Sequence, residues 1–127
     1  MPDVKMKILI VDDMSTMRRI MKNALRQLGF SNLDEAEDGQ MGLNKVKQGG
    51  FDLVISDWNM PNLDGLGMLK AIREDADVRE IPVLMVTAQA SQSCVLEAIR
   101  AGATNYIVKP FTADTLKGKI DKIFAGK

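Results

Sequence analysis

Three acidic residues stand at the carboxyl ends of two apolar runs. Ile8-Leu9-Ile10-Val11 leads straight into Asp12-Asp13, and Leu53-Val54-Ile55-Ser56 leads straight into Asp57. Short apolar runs bounded by polar residues read as buried parallel strands. In a parallel α/β sheet, function gathers in the crevice outside the carboxyl ends of the strands. If these two strands are neighbours, three carboxylates crowd one pocket. Like charges at that range repel and raise one another's pKa unless a cation joins them. The pattern points to a divalent-metal site beside a reactive carboxylate.

Two more strand ends enlarge the set. Pro82-Val83-Leu84-Met85-Val86 ends in Thr87, and Tyr106-Ile107-Val108 ends in Lys109, followed by Pro110. The crevice then offers three carboxylates, a hydroxyl and an ammonium. A carboxylate can act as a nucleophile toward phosphorus. Phosphoryl transfer needs positioning and neutralisation of charge on the equatorial oxygens. A hard divalent ion held by one or two carboxylates plus substrate phosphate is the usual Mg²⁺ arrangement. Lys109 supplies a further positive charge, and Thr87 a hydrogen-bond donor. Taken singly, Asp12 or Asp13 is a helix cap, Lys109 a surface lysine and Thr87 a turn residue. Four strand ends delivering these types to one edge is what favours phosphoryl transfer over those plain alternatives.

The elements that must position them alternate strictly. Strands are expected at 7–11, 33–36, 52–57, 82–87 and 104–109. The first helix carries Met17, Ile20, Met21, Ala24, Leu25 and Leu28 on one stripe, with Ser15 as its N-cap and Gly29 just past its end. A second helix runs from Gly39 to Lys47 behind an Asp38 cap, and a third from Asp64-Gly65 to Glu74. A fourth spans Ser91 to Ala101. The fifth begins near Thr112, with Leu116, Ile120, Ile123 and Phe124 on one face; Gly118 within it weakens it by roughly 1 kcal/mol relative to Ala. Such β-α alternation implies an α/β fold, a doubly wound five-stranded parallel sheet with helices on both faces. The flavodoxin-like order 2-1-3-4-5 is the leading topology, a (βα)5 arrangement in which strands 1 and 3 are neighbours.

Composition narrows the function. The 127 residues suit one domain, 1–127, with no linker, repeat or low-complexity tract. Lys plus Arg equals Asp plus Glu, 17 each, so no net charge argues for nucleic acid or an anionic membrane. The single Cys94 excludes an internal disulfide and fits a reducing cytosol. No apolar run approaches a membrane span and no signal-peptide core is present, so a cytoplasmic location is expected. There is no histidine. That removes Ser-His-Asp and Cys-His catalysis and His-ligated zinc, and any phosphohistidine must belong to a partner.

The stretches Val11-Asp12-Asp13, Ser15-Thr16-Met17-Arg18-Arg19, Ser56-Asp57-Trp58-Asn59-Met60-Pro61, Asp64-Gly65, Val86-Thr87-Ala88 and Val108-Lys109-Pro110-Phe111 together resemble the receiver domain of two-component response regulators. Asp57 through Pro61 resembles more narrowly the CheY-like chemotaxis regulators. The resemblance spans essentially the whole chain. It implies a phosphorelay signalling protein with no output domain, a monomer and not an enzyme beyond self-catalysed phosphoryl transfer and slow autodephosphorylation. Asp57 would accept the phosphoryl group from a chemotaxis-type histidine kinase. Asp13 and Asp57 would bind Mg²⁺ with the backbone carbonyl of Asn59, Asp12 acting through water. Thr87 and Lys109 would engage the phosphoryl oxygens. Tyr106 would turn inward as Thr87 moves, and the face of helix 4, strand 5 and helix 5 would change partners, a flagellar motor switch protein among them, with a phosphatase as a further partner. A cis bond at Lys109-Pro110 is also implied.

Other features have two explanations. Trp58 is a half-exposed packing residue, and beside Asp57 a natural fluorescence reporter. Met14, Met17 and Met21 fill core or helix face rather than bind metal. Cys94 is a bystander rather than a redox sensor. Lys117, Lys119 and Lys122 form a solvated face or receive an acidic amphipathic segment. The chain departs from the resemblance in the neutral run Gln89, Ser91, Gln92, Ser93 and Cys94, where charge is common, and at Met14, where an aromatic is common. These bear on phosphate lifetime and partner identity. Three alternatives differ in class or pathway. A stand-alone receiver in another phosphorelay, or a phosphate sink, shares the chemistry. A metal-dependent phosphatase needs a second acid two residues past the nucleophile, where Asn59 stands. Nucleotide or flavin binding needs a glycine-rich loop after strand 1, where Asp12-Asp13 would repel phosphate.

Overall fold

The computed structural model describes residues 4–58, 60, 62–88 and 92–125, the side chains of 92–94 apart. Five strands and five helices alternate: β1 Ile8–Val11, α1 Ser15–Gln27, β2 Leu33–Ala36, α2 Gly39–Gln48, β3 Leu53–Asp57, α3 Gly65–Glu74, β4 Val83–Thr87, α4 Gln92–Ala101, β5 Asn105–Val108 and α5 Ala113–Phe124. The strands form one parallel sheet in the order β2-β1-β3-β4-β5, the doubly wound order expected. The expected strand limits agree with these to within a residue at each end. The proposed start of α4 at Ser91 lies outside the described residues.

The alternating side chains of the central strands divide the core into two layers. Ile8, Ile10, Leu53, Ile55, Leu84, Val86 and Ile107 pack with Met21 and Leu25 of α1 and with Leu116, Ile120 and Ile123 of α5. Leu9, Val11, Val54, Val83 and Met85 pack with Leu43 and Val46 of α2, Met68, Leu69 and Ile72 of α3, and Ala98 of α4. Each fully buried aliphatic side chain contributes about 1.5–3 kcal/mol over an exposed one. The sheet is therefore a stiff platform for whatever its loops carry. Edge strand β2 is only half buried. Its Asp34 pairs with Lys45 at 2.9 Å and its Glu35 with Arg18 at 2.6 Å. Charged side chains of this kind discourage pairing with a foreign strand.

Three helices begin as their sequences imply. Asp38 accepts from the Met41 N–H at 2.8 Å, Asp64 from Gly67 at 2.7 Å and Thr112 from Thr115 at 3.1 Å. Each satisfies an N–H with no partner inside the helix, a contribution of about 1 kcal/mol. Helix α1 differs from expectation. Ser15 lies inside the helix, and Met14 is the N-cap without a side-chain capping bond. The carboxylate of Asp12 takes over that turn by accepting from the Met14 N–H at 2.9 Å. The apolar stripe of α1 is also narrower than its spacing suggests. Ile20 is exposed, while Arg18 is buried. At the far end Gly29 takes φ +98°, and the Phe30 N–H closes on the Leu25 carbonyl at 3.0 Å, as a left-handed glycine allows.

Gly118 sits on the exposed side of α5, with open space where a Cβ would lie. Gly118→Ala should therefore stabilise the protein by about 1 kcal/mol, seen as a higher urea midpoint at unchanged slope. A lower midpoint would mean that the glycine answers a constraint other than helix propensity.

Candidate functional site

Register delivers the acidic residues to one place. Val11 pairs with Ser56, so Asp12 and Asp57 emerge side by side at the carboxyl edge. On the other flank Asp57 pairs with Val86, and Thr87 pairs with Val108, so Thr87 and Lys109 emerge at the same edge. The Lys109 N–H donates to the Thr87 carbonyl at 2.8 Å, which carries the β4–β5 ladder one step past the strand. One carboxylate oxygen from each of Asp12, Asp13 and Asp57 lies within 4.8 Å of the others. Asp12 is buried, Asp13 exposed and Asp57 half-buried. Thr87 is buried at the tip of β4. Lys109 Nζ reaches Asp57 Oδ1 at 3.2 Å and Asp12 Oδ2 at 3.7 Å. Asp12, Asp13, Asp57, Thr87 and Lys109 are thus gathered at one edge of the sheet.

The charges do not balance within that group. Two like charges ~4 Å apart repel by about 4 kcal/mol at an effective dielectric of 20. One ammonium leaves three ionised carboxylates two negative charges in excess. Burial raises the Asp12 carboxyl above its ordinary pKa, and the neighbouring Asp57 and Asp13 push it the same way. The Met14 N–H and Lys109 oppose that rise. A small divalent cation would cancel the excess. The donors are hard carboxylate oxygens, which suit Mg²⁺ rather than a thiophilic metal. The residues present therefore fit such an ion, with Asp12, Asp13 and Asp57 as its protein neighbours. Asn59, whose carbonyl was expected to join them, lies outside the described residues, as does Gln89.

The loop carrying Asp57 is held from several directions. The Trp58 N–H donates to Asp57 Oδ1 at 2.9 Å, and Ser56 Oγ donates to the Asp57 carbonyl at 2.9 Å. The Gly65 N–H donates to the Trp58 carbonyl at 2.9 Å. A Cβ on Gly65 would sit 2.0 Å from the Asp57 carbonyl oxygen, so α3 can approach the acceptor strand only with glycine there. Asn62, with φ +66°, donates from Nδ2 to Asp38 Oδ2 at 2.8 Å and so ties this loop to the start of α2. Trp58 is half-buried against the apolar layer beneath α2 to α4, the packing position expected of it. The Lys109–Pro110 peptide is cis, as the resemblance implied.

The residues expected at a partner face lie to one side. Tyr106 on β5 is half-buried, and Lys119 Nζ lies 4.6 Å from its ring centroid. Lys119 also reaches Asn105 Oδ1 at 3.5 Å. Lys119 is therefore docked on the tyrosine, a contact worth ~0.5–1 kcal/mol at such a site, rather than being one of a free lysine row. Lys117 pairs with Asp121 at 2.6 Å. Leu96 and Ile99 on α4 are exposed, a feature that sequence periodicity did not single out. Nor did the sequence assign tasks to Arg18, Asn62 or Gly65. Their only signals were an arginine on an otherwise apolar helix face, and an asparagine and a glycine around a turn.

Two outcomes follow from the charge imbalance. Millimolar Mg²⁺ should raise the melting temperature and shift Trp58 fluorescence; no change in either would exclude the metal site. Because the folded pKa of Asp12 is raised, its ionised form costs stability at neutral pH. That cost is relieved as pH falls through the raised value and is gone below about pH 4, the range of an unfolded carboxyl. Asp12→Asn keeps an acceptor for the Met14 N–H, so it should raise metal-free stability at pH 7 and weaken the Mg²⁺ response. A less stable variant would contradict the assignment of strain to that carboxylate.

Comparison with known proteins adds the family. The profile of the response regulator receiver domain matches residues 8–121. Chemotaxis protein CheY-3 of Vibrio cholerae serotype O1 is 59% identical over 119 residues, covering 94% of this chain and 92% of that protein. The solved structure of Vibrio cholerae chemotaxis protein CheY4 superposes with a TM-score of 0.87 at 33% identity, over 94% of this chain and 99% of that one. The receiver domain of sensor histidine kinase PA1611 from Pseudomonas aeruginosa, solved with a magnesium ion coordinated in its active site cleft, gives 0.86 at 26% identity, over 95% of this chain and 98% of that one.

Proposed function

This chain belongs to the response regulator receiver domain family, in its CheY-like chemotaxis branch, and on that premise we propose that it takes a phosphoryl group on Asp57 from the phosphohistidine of a partner kinase. The observation that carries the proposal is the Lys109 ammonium set between Asp57 and Asp12 in a group of three carboxylates that, among the described residues, outnumber it. A carboxylate oxygen of Asp57 forms the new O–P bond, the P–N bond of the phosphohistidine breaks, and the imidazole leaves with its electron pair. Bound Mg²⁺, held by Asp13 and Asp57 with Asp12 behind them, would supply charge neutralisation for the phosphoryl oxygens. Lys109 holds a second positive charge at the same carboxylate, and Thr87 offers a hydroxyl from the neighbouring strand tip. The Trp58 N–H fixes Asp57 Oδ1, which limits the rotation of the carboxylate.

The signal leaves by a change of surface. Thr87 and Lys109 sit at the tips of β4 and β5, and β5 also carries Tyr106. A phosphoryl group that draws Thr87 and Lys109 toward Asp57 acts on that strand. In this proposal Tyr106, Lys119 and the exposed apolar residues of α4 form the face that meets a flagellar motor switch protein. Mg²⁺ dependence, the kinase and the motor partner rest on the family and on this geometry together.

Beryllofluoride, a phosphoryl mimic, tests the acceptor. An adduct should form with the Mg²⁺-loaded protein and vanish in Asp57→Asn; an undiminished adduct in that variant would place the acceptor elsewhere. Lys109→Ala should still bind Mg²⁺ yet lose phosphorylation-dependent binding to its output partner. Unchanged phosphorylation-dependent binding would refute the role given to Lys109.

A further inference from the structure

The loop that carries Asp12 and Asp13 is held by an ion-pair chain that reaches back to the edge strand. Arg18 lies one turn into α1 and is 8% exposed. Its Nη1 donates to the Asp12 backbone carbonyl at 2.6 Å, and its Nε donates to Glu35 Oε1 at 2.6 Å. The other oxygen of Glu35 accepts from Lys22 Nζ at 2.5 Å. Glu35 sits on β2 in register with Ile10. The N–H of Asp12 donates to the carbonyl of Ala36, the next β2 residue, at 3.2 Å. Both polar groups of the Asp12 backbone thus lead to β2, one directly and one through Arg18. The Asp12 side chain is fixed separately by the Met14 N–H.

From this geometry we infer that Arg18, oriented by Glu35, is a positioning residue for the divalent-cation site: it sets the plane of the Asp12–Asp13 peptide and through it the direction of the Asp13 carboxylate. The inference rests on the proposed metal site and deepens it. A guanidinium is suited to the task because its planar fork presents two donors at a fixed angle. One donor meets the carboxylate that orients it and the other meets the carbonyl it orients. Lysine offers a point charge on a flexible stem and cannot hold both directions. Hydrogen-bond partners that orient metal ligands usually change metal affinity by about 10–100-fold when removed, and Arg18 acts at the lower end because it orients backbone.

Charge alone predicts the opposite sign, which makes the idea testable. Arg18 is a cation beside a cation site. If it acted only through its charge, its removal would strengthen Mg²⁺ binding. If it acts by positioning, removal weakens binding despite the lost repulsion. If it is only a staple between α1 and the sheet, its removal lowers stability and leaves affinity unchanged.

The experiment is a Mg²⁺ titration of the full chain followed by Trp58 fluorescence and by the rise in melting temperature, with metal-free stability measured in parallel by urea unfolding. Wild-type protein must respond first; a silent wild type refutes the metal site itself and with it this inference. Given that response, Arg18→Met should bind Mg²⁺ about tenfold more weakly, and Arg18→Lys should remain weak. Glu35→Gln keeps an oxygen for the Arg18 Nε–H and should stay within about threefold of wild type, whereas Glu35→Ala should fall to the level of Arg18→Met. Should Arg18→Met fail to fold, the Glu35→Gln and Glu35→Ala pair reads the same geometry. Unchanged or tighter Mg²⁺ binding in Arg18→Met, or equal affinities for Glu35→Gln and Glu35→Ala, would overturn the inference.

Discussion

The repulsion among Asp12, Asp13 and Asp57 is the constraint on which the rest of this molecule turns. Three carboxylates meet because β1 and β3 are paired in the centre of the sheet and end at the same level. Left to themselves they would splay into solvent. The register, the Met14 and Trp58 N–H bonds and the Lys109 ammonium hold them together. The result is a pocket whose negative charge is only partly met by the protein. That unmet charge gives a cation reason to enter, and a bound cation together with Lys109 would then offset the charge of an incoming phosphoryl group. The deep apolar layers on both faces of the sheet supply the rigidity that keeps the carboxylates from relaxing apart.

The same constraint explains why the loops around the pocket are so closely tied. The Asp57 carbonyl tolerates only glycine at position 65. Asn62 links the loop after β3 to the cap of α2, and Arg18 links the loop after β1 to β2. Each tie fixes backbone rather than adding a group to the chemistry. On the other side the ties are fewer among the described residues. Lys119 rests on Tyr106 by a cation–π contact, and Leu96 and Ile99 are open to solvent. Among the described residues, the loops beneath the acidic pocket carry more polar ties than the face proposed to meet a partner.

Much of this was legible in the sequence because it depends on local patterns. Apolar runs that end in Asp, Thr or Lys fix both the strands and the residues at their tips. Asp38, Asp64 and Thr112 announce their helices by side-chain chemistry alone. What escaped depends on contacts between distant positions. Ser15 has the right type for a cap, but the Asp12 carboxylate already occupies that turn. Ile20 fits the helical stripe, yet Arg18 takes the buried place because Glu35, 17 residues away, offers it a partner. Gly65 looks like an ordinary helix start until the Asp57 carbonyl is seen against it. Periodicity reports which face of a helix is apolar; it does not report what waits on the neighbouring strand.

On the proposed function, the crowded pocket places a phosphoryl group on Asp57. Its most direct test is to load the protein from a phosphorylated histidine kinase, reduce the acyl phosphate with borohydride and locate the reduced residue by mass spectrometry of the peptides. Homoserine is expected at position 57 alone, formed with Mg²⁺ and absent when the metal is chelated. Reduction at another aspartate, or labelling of Asp57 that is indifferent to Mg²⁺, would contradict it.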